Sequence, residues 1–195
     1  MKTALYLDCC IRARQSRTRE VSDAFFSALS GEYHVIRLDL TRENLQPLMG
    51  KRFEQRESLI KNGNLSDSCF ARAHQFAGAD LVIIAAPFWD LSFPALLKLY
   101  FEDISVEGIT FRETATGHQG LCRGTHLVFL TTRGGLYAPG DPMEQGTPYL
   151  AALQKFYGFD SFSCIAADGL DVQGYDGTGA LHRACAQAAE LAKTL

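Results

Sequence analysis

What this 195-residue chain lacks narrows its function first. No apolar run approaches the roughly 20 residues of a bilayer-spanning helix. The short apolar stretch in MKTALYLDCC runs straight into charged sequence, so neither a membrane span nor a signal peptide is predicted. A surplus of one charge is missing too: 19 Lys and Arg against 22 Asp and Glu leave a net charge of -3. That gives little attraction for nucleic acid or an anionic membrane. Six cysteines form no CxxC pair; Cys9 and Cys10 are adjacent, and Cys69, Cys122, Cys164 and Cys185 stand singly. The five histidines are equally dispersed. The prediction is therefore no metal site, no disulfide framework, and reduced thiols in a cytoplasmic protein. GxGxxG and Walker A patterns are also lacking, which leaves a dinucleotide-binding Rossmann site and a nucleoside triphosphatase unsupported.

What remains is an ordinary globular composition, 47% apolar and 21% charged, without repeats or linkers, read as one domain over residues 1–195. Short β-branched runs alternate with longer amphipathic segments. Strands are predicted at Thr3 to Asp8, Tyr33 to Leu40, Asp80 to Ala86, Thr125 to Thr131 and Ser161 to Ala167. Helices are predicted at Arg17 to Ser30, Glu54 to Phe76, Phe93 to Ser105, Thr147 to Tyr157 and Thr178 to Lys193. DLVIIAAP and THLVFLTT are nearly continuous apolar runs, as strands buried on both faces require. The alternation predicts a doubly wound α/β fold: a five-stranded parallel sheet, order 2-1-3-4-5, with helices on both faces. Gly31 and Gly78 stand where helix ends favour a residue tolerant of positive φ.

Such a sheet binds ligands at the carboxyl ends of its strands, where strand order reverses. Three loops converge there. In CCIRARQSRTRE, Ser16, Arg17 and Thr18 open a helix whose free N–H groups suit a phosphate, or Ser16 simply caps that helix. In PFWD, Pro87 ends the strand. Phe88 and Trp89, followed by Asp90 and Leu91, then face a flat ligand or serve as core or interface aromatics. In TTRGGLYAPGDP, Thr132 and Arg133 flank Gly134 and Gly135, which either hug a ligand or make an ordinary turn. Coincidence of all three favours a phosphate-bearing flat cofactor.

The segments APFWDLSFPALLKLYFEDISVEGITF and TTRGGLYAPG, with CCIRARQSRTREVSDAF more weakly, resemble the flavodoxin-like FMN-dependent NAD(P)H oxidoreductases, in particular the NADH:azoreductase and quinone reductase branch. The resemblance spans nearly the whole chain and implies a flavodoxin-like three-layer sandwich that binds FMN. By that resemblance Ser16, Arg17 and Thr18 meet the FMN phosphate. Phe88, Trp89, Asp90 and Leu91, after Pro87, run along the isoalloxazine ring, and Thr132, Arg133, Gly134 and Gly135 meet its pyrimidine side. Cys10 stands where serine is common and Asp90 where asparagine is frequent; each departure removes a good donor. The implied reaction passes hydride from NAD(P)H through FMN to a quinone or azo compound, in ping-pong order and with no catalytic side chain. Tyr137 and Phe111 are candidate walls of the substrate pocket. Family members are typically homodimers, and the apolar stripe Leu96, Leu97, Tyr100, Phe101 and Ile104 is wide enough for a dimer surface or for core packing. A flavodoxin-type electron carrier and a flavin-free interaction domain are the alternatives.

Overall fold

A computed structural model describes all residues, Met1–Leu195. In chain order the elements are β1 Lys2–Asp8, α1 Arg17–Ala28, β2 Tyr33–Asp39, α2 Gly50–Lys61, α3 Ala71–Ala77, β3 Leu81–Ala85 and α4 Ala95–Ile104. Then come β4 Phe111–Thr114, β5 Gly117–Gly120, β6 His126–Thr132, α5 Gly146–Tyr157, β7 Ser161–Ala167 and α6 Gly177–Lys193. Five of the seven strands form one sheet, ordered β2-β1-β3-β6-β7, and every neighbouring pair in it is parallel. Counting its strands alone, this is the predicted 2-1-3-4-5 order, and the switch point lies between β1 and β3.

Side-chain alternation along the strands builds a core on each sheet face. Every residue of β3 is buried. Val82 and Ile84 join Leu5, Leu7 and Phe129 against Phe76, Tyr100, Phe101 and Tyr157 of α3, α4 and α5. Leu81 and Ile83 join Tyr6, Val128 and Leu130 against Val21 and Phe25 of α1 and Ala184, Ala188 and Ala192 of α6. Alanines four residues apart make α6 smooth enough to pack closely on α1. The result is the three-layer α/β sandwich that the sequence predicts.

Two expectations need correction, one element escaped the sequence, and one open reading is narrowed. The helix predicted over Glu54 to Phe76 is two helices. Gly63 at φ +67 ends the first, Asn64 N–H bonds back to Leu59 O at 2.9 Å, and Asp67 accepts from Cys69 N–H to open the next turn. Gly31 and Gly78 are not left-handed caps; Gly78 has φ -89, and Gly158 at φ +88 ends α5 instead. The β4–β5 hairpin was not predicted. Finally, of the two readings open for the α4 stripe, core packing accounts for Leu97, Tyr100, Phe101 and Ile104, which are all buried within the chain, whereas Leu96 is half-buried.

Candidate functional site

The carboxyl edge of the sheet is assembled by backbone bonds from strand to loop. Cys9 N–H donates to Ala85 O at 2.9 Å, Ala86 to Leu130 O at 3.1 Å, Phe88 to Thr132 O at 3.0 Å and Arg133 to Ala167 O at 2.8 Å. Each loop therefore leaves the sheet braced on its neighbour. Together they enclose a cleft of about 480 Å³ (open solvent included), lined by Arg12, Gln15, Ser16, Arg17, Thr18, Pro87, Phe88, Trp89, Thr132, Gly134 and Asp171.

At one end α1 begins. Ser16 is buried at its N-cap, yet its hydroxyl makes no cap hydrogen bond, and the first-turn N–H groups point outward from the helix start. Thr18 is tied across the cleft floor to Thr132, hydroxyl to hydroxyl at 2.6 Å. Arg17 and Arg12 supply positive charge. At the other end, Trp89 and Ser92 pair as a two-residue hairpin, N–H to O in both directions at 3.2 and 2.9 Å. Its two central residues, Asp90 at φ 49 and Leu91 at φ 60, are left-handed without being glycine. For leucine that conformation is strained. The turn leaves Trp89 43% exposed at the cleft mouth, with Asp90 at its tip.

The structure thus brings Ser16, Arg17, Thr18, Pro87, Phe88, Trp89, Thr132 and Gly134 into one cleft. Others of the predicted set stand apart from its lining. Cys10 is buried; its N–H donates to Asp8 at 3.0 Å, and burial, with Asp8 adding, pushes its thiol up to about 12. Beside it Asp8 is buried between Arg19, at 2.7 Å, and Arg37. Arg133 turns its side chain away. It donates to Thr147 Oγ1 at 2.7 Å, pairs with Glu144 and Asp168 at 3.3 Å each, and lies 5.8 Å from the Phe88 ring centroid. Burial outweighs that cation and lifts the Asp168 carboxyl above its ordinary value.

Neither Gly134 nor Gly135 has positive φ. Glycine serves close approach instead: a Cβ on Gly134 would lie 2.6 Å from Asp171 Oδ2, and one on Gly135 would lie 3.2 Å from the Tyr137 ring. Tyr137 packs on Phe88 at 4.8 Å and lines a neighbouring, broader cleft with Arg133, whereas Phe111 sits on the β4–β5 hairpin against Phe156. Sequence reading missed Asp171 and its loop after β7, whose Gly169 N–H bonds Gly135 O at 2.7 Å and whose Asp171 N–H bonds Gly134 O at 3.0 Å. The run DGLDVQGYDG after the last strand was the available signal.

A phosphorylated flat ligand fits this donor set: a buried hydroxyl free of any capping bond, a helix start and two arginines at one end, aromatic rings at the other. No group of three or more His, Cys, Asp and Glu could hold a metal ion, no helix is long and apolar enough to cross a membrane, and all six cysteines are free.

A family model described as flavodoxin-like fold matches residues 2–192. An FMN-dependent NADH:quinone oxidoreductase of Clostridium perfringens is 39% identical, covering 99% of both chains. A second, from Clostridium acetobutylicum, is 40% identical over 91% of each. Among solved structures, an azoreductase from Bacillus anthracis superposes with TM-score 0.88 at 24% identity, covering 100% of both chains. An FMN-dependent NADH-azoreductase from the same species, solved with FMN, superposes with TM-score 0.82 at 21% identity over 100% of this chain and 99% of its own. The likeness to these structures concerns the fold; the full-length match at 39% identity reaches further, and the chain belongs to the flavodoxin-like family that includes the FMN-dependent NADH:quinone oxidoreductases.

Proposed function

We propose that this protein is an FMN-dependent NAD(P)H oxidoreductase that reduces quinones or azo compounds. One observation carries the reading: a single cleft joins phosphate-type donors to the half-buried Phe88 and exposed Trp89 rings, on a chain aligned end to end with FMN-dependent NADH:quinone oxidoreductases. Ser16, Arg17 and Thr18 would hold the phosphate. Phe88 and Trp89 would border the ring, and the backbone of Thr132, Gly134 and Gly135 would meet its polar edge. Bound FMN supplies the two-electron chemistry between nicotinamide and acceptor.

The remaining work belongs to the chain. The strained Asp90–Leu91 turn presents Trp89, and Gln145 N–H holds Leu91 O at 2.8 Å. Arg133, which faces acids rather than the cleft, stacks over Phe88 and fixes that ring. With Cys10 held as a thiol and Asp90 outside at the turn tip, neither departure from the family pattern removes a donor that the cleft lining uses. No side chain is assigned as acid or base. Nicotinamide and acceptor use one pocket in turn, a ping-pong order, in a cytoplasmic homodimer.

Steady consumption of NADH or NADPH with menadione and with an azo dye tests the reading, and parallel double-reciprocal lines test the order. Flavin binding without turnover would contradict the enzyme and leave an electron carrier. Light scattering at two chains per particle tests the dimer.

A further inference from the structure

We propose that Asp171, in the loop between β7 and α6, is a positioning residue that presets Arg17 for a phosphate monoester. The proposal rests on the FMN reading above, and it makes this loop a fourth wall of the cleft. The Arg17 guanidinium directs three of its five N–H groups into that loop. Nη1 donates to Asp171 Oδ1 at 2.8 Å and to the Leu170 carbonyl at 3.1 Å; Nη2 donates to Asp171 Oδ2 at 3.0 Å. The two N–H groups left over, one on Nε and one on Nη2, share the other edge of the planar fork. That edge matches two oxygens of a phosphate. Arg17 and Asp171 line the same cleft as Ser16 and Thr18, so the free edge belongs to the site where an anion would meet the α1 N-terminus.

Asp171 is itself held in place. Its N–H donates to Gly134 O at 3.0 Å, and its carboxylate lies where any side chain at position 134 would collide with it. The Arg17 hydrogen bonds hold the Asp171 carboxyl below its ordinary range, so it is ionised at neutral pH. Its negative charge opposes a phosphate, but at 64% side-chain exposure water screens that repulsion. An untethered arginine would regain rotamer freedom that is among the largest of any side chain. Orientation therefore outweighs repulsion, and the salt bridge assists phosphate binding rather than competing with it.

The test is titration of the full-length chain, freed of flavin, with FMN and with riboflavin, which lacks the phosphate. Asp171→Asn weakens FMN about tenfold and leaves riboflavin within about twofold, the loss of one charge-assisted clamp. Asp171→Glu keeps the carboxylate and restores most of the affinity. In an Arg17→Ala background, Asp171→Asn produces no further loss. Parallel weakening of both flavins would overturn the proposal by showing that Asp171 only holds the loop; so would an FMN affinity that is unchanged or raised. A wild-type chain that binds neither flavin overturns the FMN reading, a result distinct from wild-type binding that is insensitive to position 171.

Discussion

The two edges of the central sheet are built from the same strands and treat their polar and apolar groups in opposite ways. At the amino edge, side chains satisfy one another. Asp80 accepts from Thr3 N–H at 2.7 Å, and both ring nitrogens of His126 meet serine hydroxyls, of Ser161 and Ser163, at 2.8 Å. Gly124 leaves no room for a Cβ against the Phe159 ring. At the carboxyl edge, Trp89, Leu91, Leu136, Val172 and Tyr175 stay exposed, three non-glycine residues (Ala13, Asp90 and Leu91) are left-handed, and the Ser16 hydroxyl caps nothing. Left-handed non-glycine backbone is thus confined to the edge where strand order reverses. The regular elements around it carry no such strain, which is how a fold supports a costly site.

The comparison breaks most visibly in the core. Phe76 is fully buried among Tyr100, Tyr157 and Phe159, so Phe76→Ala loses about 3–5 kcal/mol of stability in urea unfolding. The folded-state emission of Trp89, on the opposite edge, stays the same. Next come two helix caps. Asp176 accepts from Gly179 N–H at 2.9 Å, so Asp176→Ala loses about 1 kcal/mol. Ser16→Ala has almost no effect on unfolding, because its hydroxyl caps nothing, but it weakens FMN about fivefold. Equal stability losses from the two caps would show that Ser16 caps α1 as Asp176 caps α6.

Relieving strain sharpens the contrast from the other side. Leu91→Gly stabilises the chain by about 0.5–1 kcal/mol in the same assay, because only glycine takes φ 60 freely.

The smallest effect lies away from both edges, on the β4–β5 hairpin. His118 donates from both ring nitrogens, to Glu113 Oε1 and the Phe156 carbonyl, each at 2.7 Å, and these bonds raise its pKa above the ordinary value. A raised folded value means that its stabilisation is complete below about pH 6.5. It is lost as pH rises through the folded pKa. The stability difference between wild type and His118→Gln therefore shrinks in alkaline solution, and an NMR titration of the imidazole reads the shift directly.

The sheet was legible because its central strands are continuous apolar runs. A parallel strand buried on both faces has no other pattern, and βαβ alternation then leaves few orders. The break between α2 and α3 was not, since the amphipathic pattern resumes past Asn62, Gly63 and Asn64 and hides the left-handed stop. The hairpin is short and mostly exposed, and carries no alternation to read. At the site, local chemistry was legible: a helix opening with Ser16, aromatics after Pro87, two glycines. Contacts between distant segments were not. Arg17 meets Asp171 across 154 positions, and Arg133 chooses the buried Glu144 and half-buried Asp168 over the cleft. Width of an apolar stripe leaves core and dimer readings open for the same reason, because α4 is covered by neighbours that sequence cannot place.

Trp89 is the sole tryptophan of the chain and stands at the cleft mouth, so its emission reports on the site without a label. Titrating the flavin-free, full-length chain with FMN is the most direct measurement. The expected result is saturable quenching of that emission at one FMN per chain, weakened by Ser16→Ala and Arg17→Ala. Emission that is indifferent to FMN, or quenching that both variants leave unchanged, would contradict it.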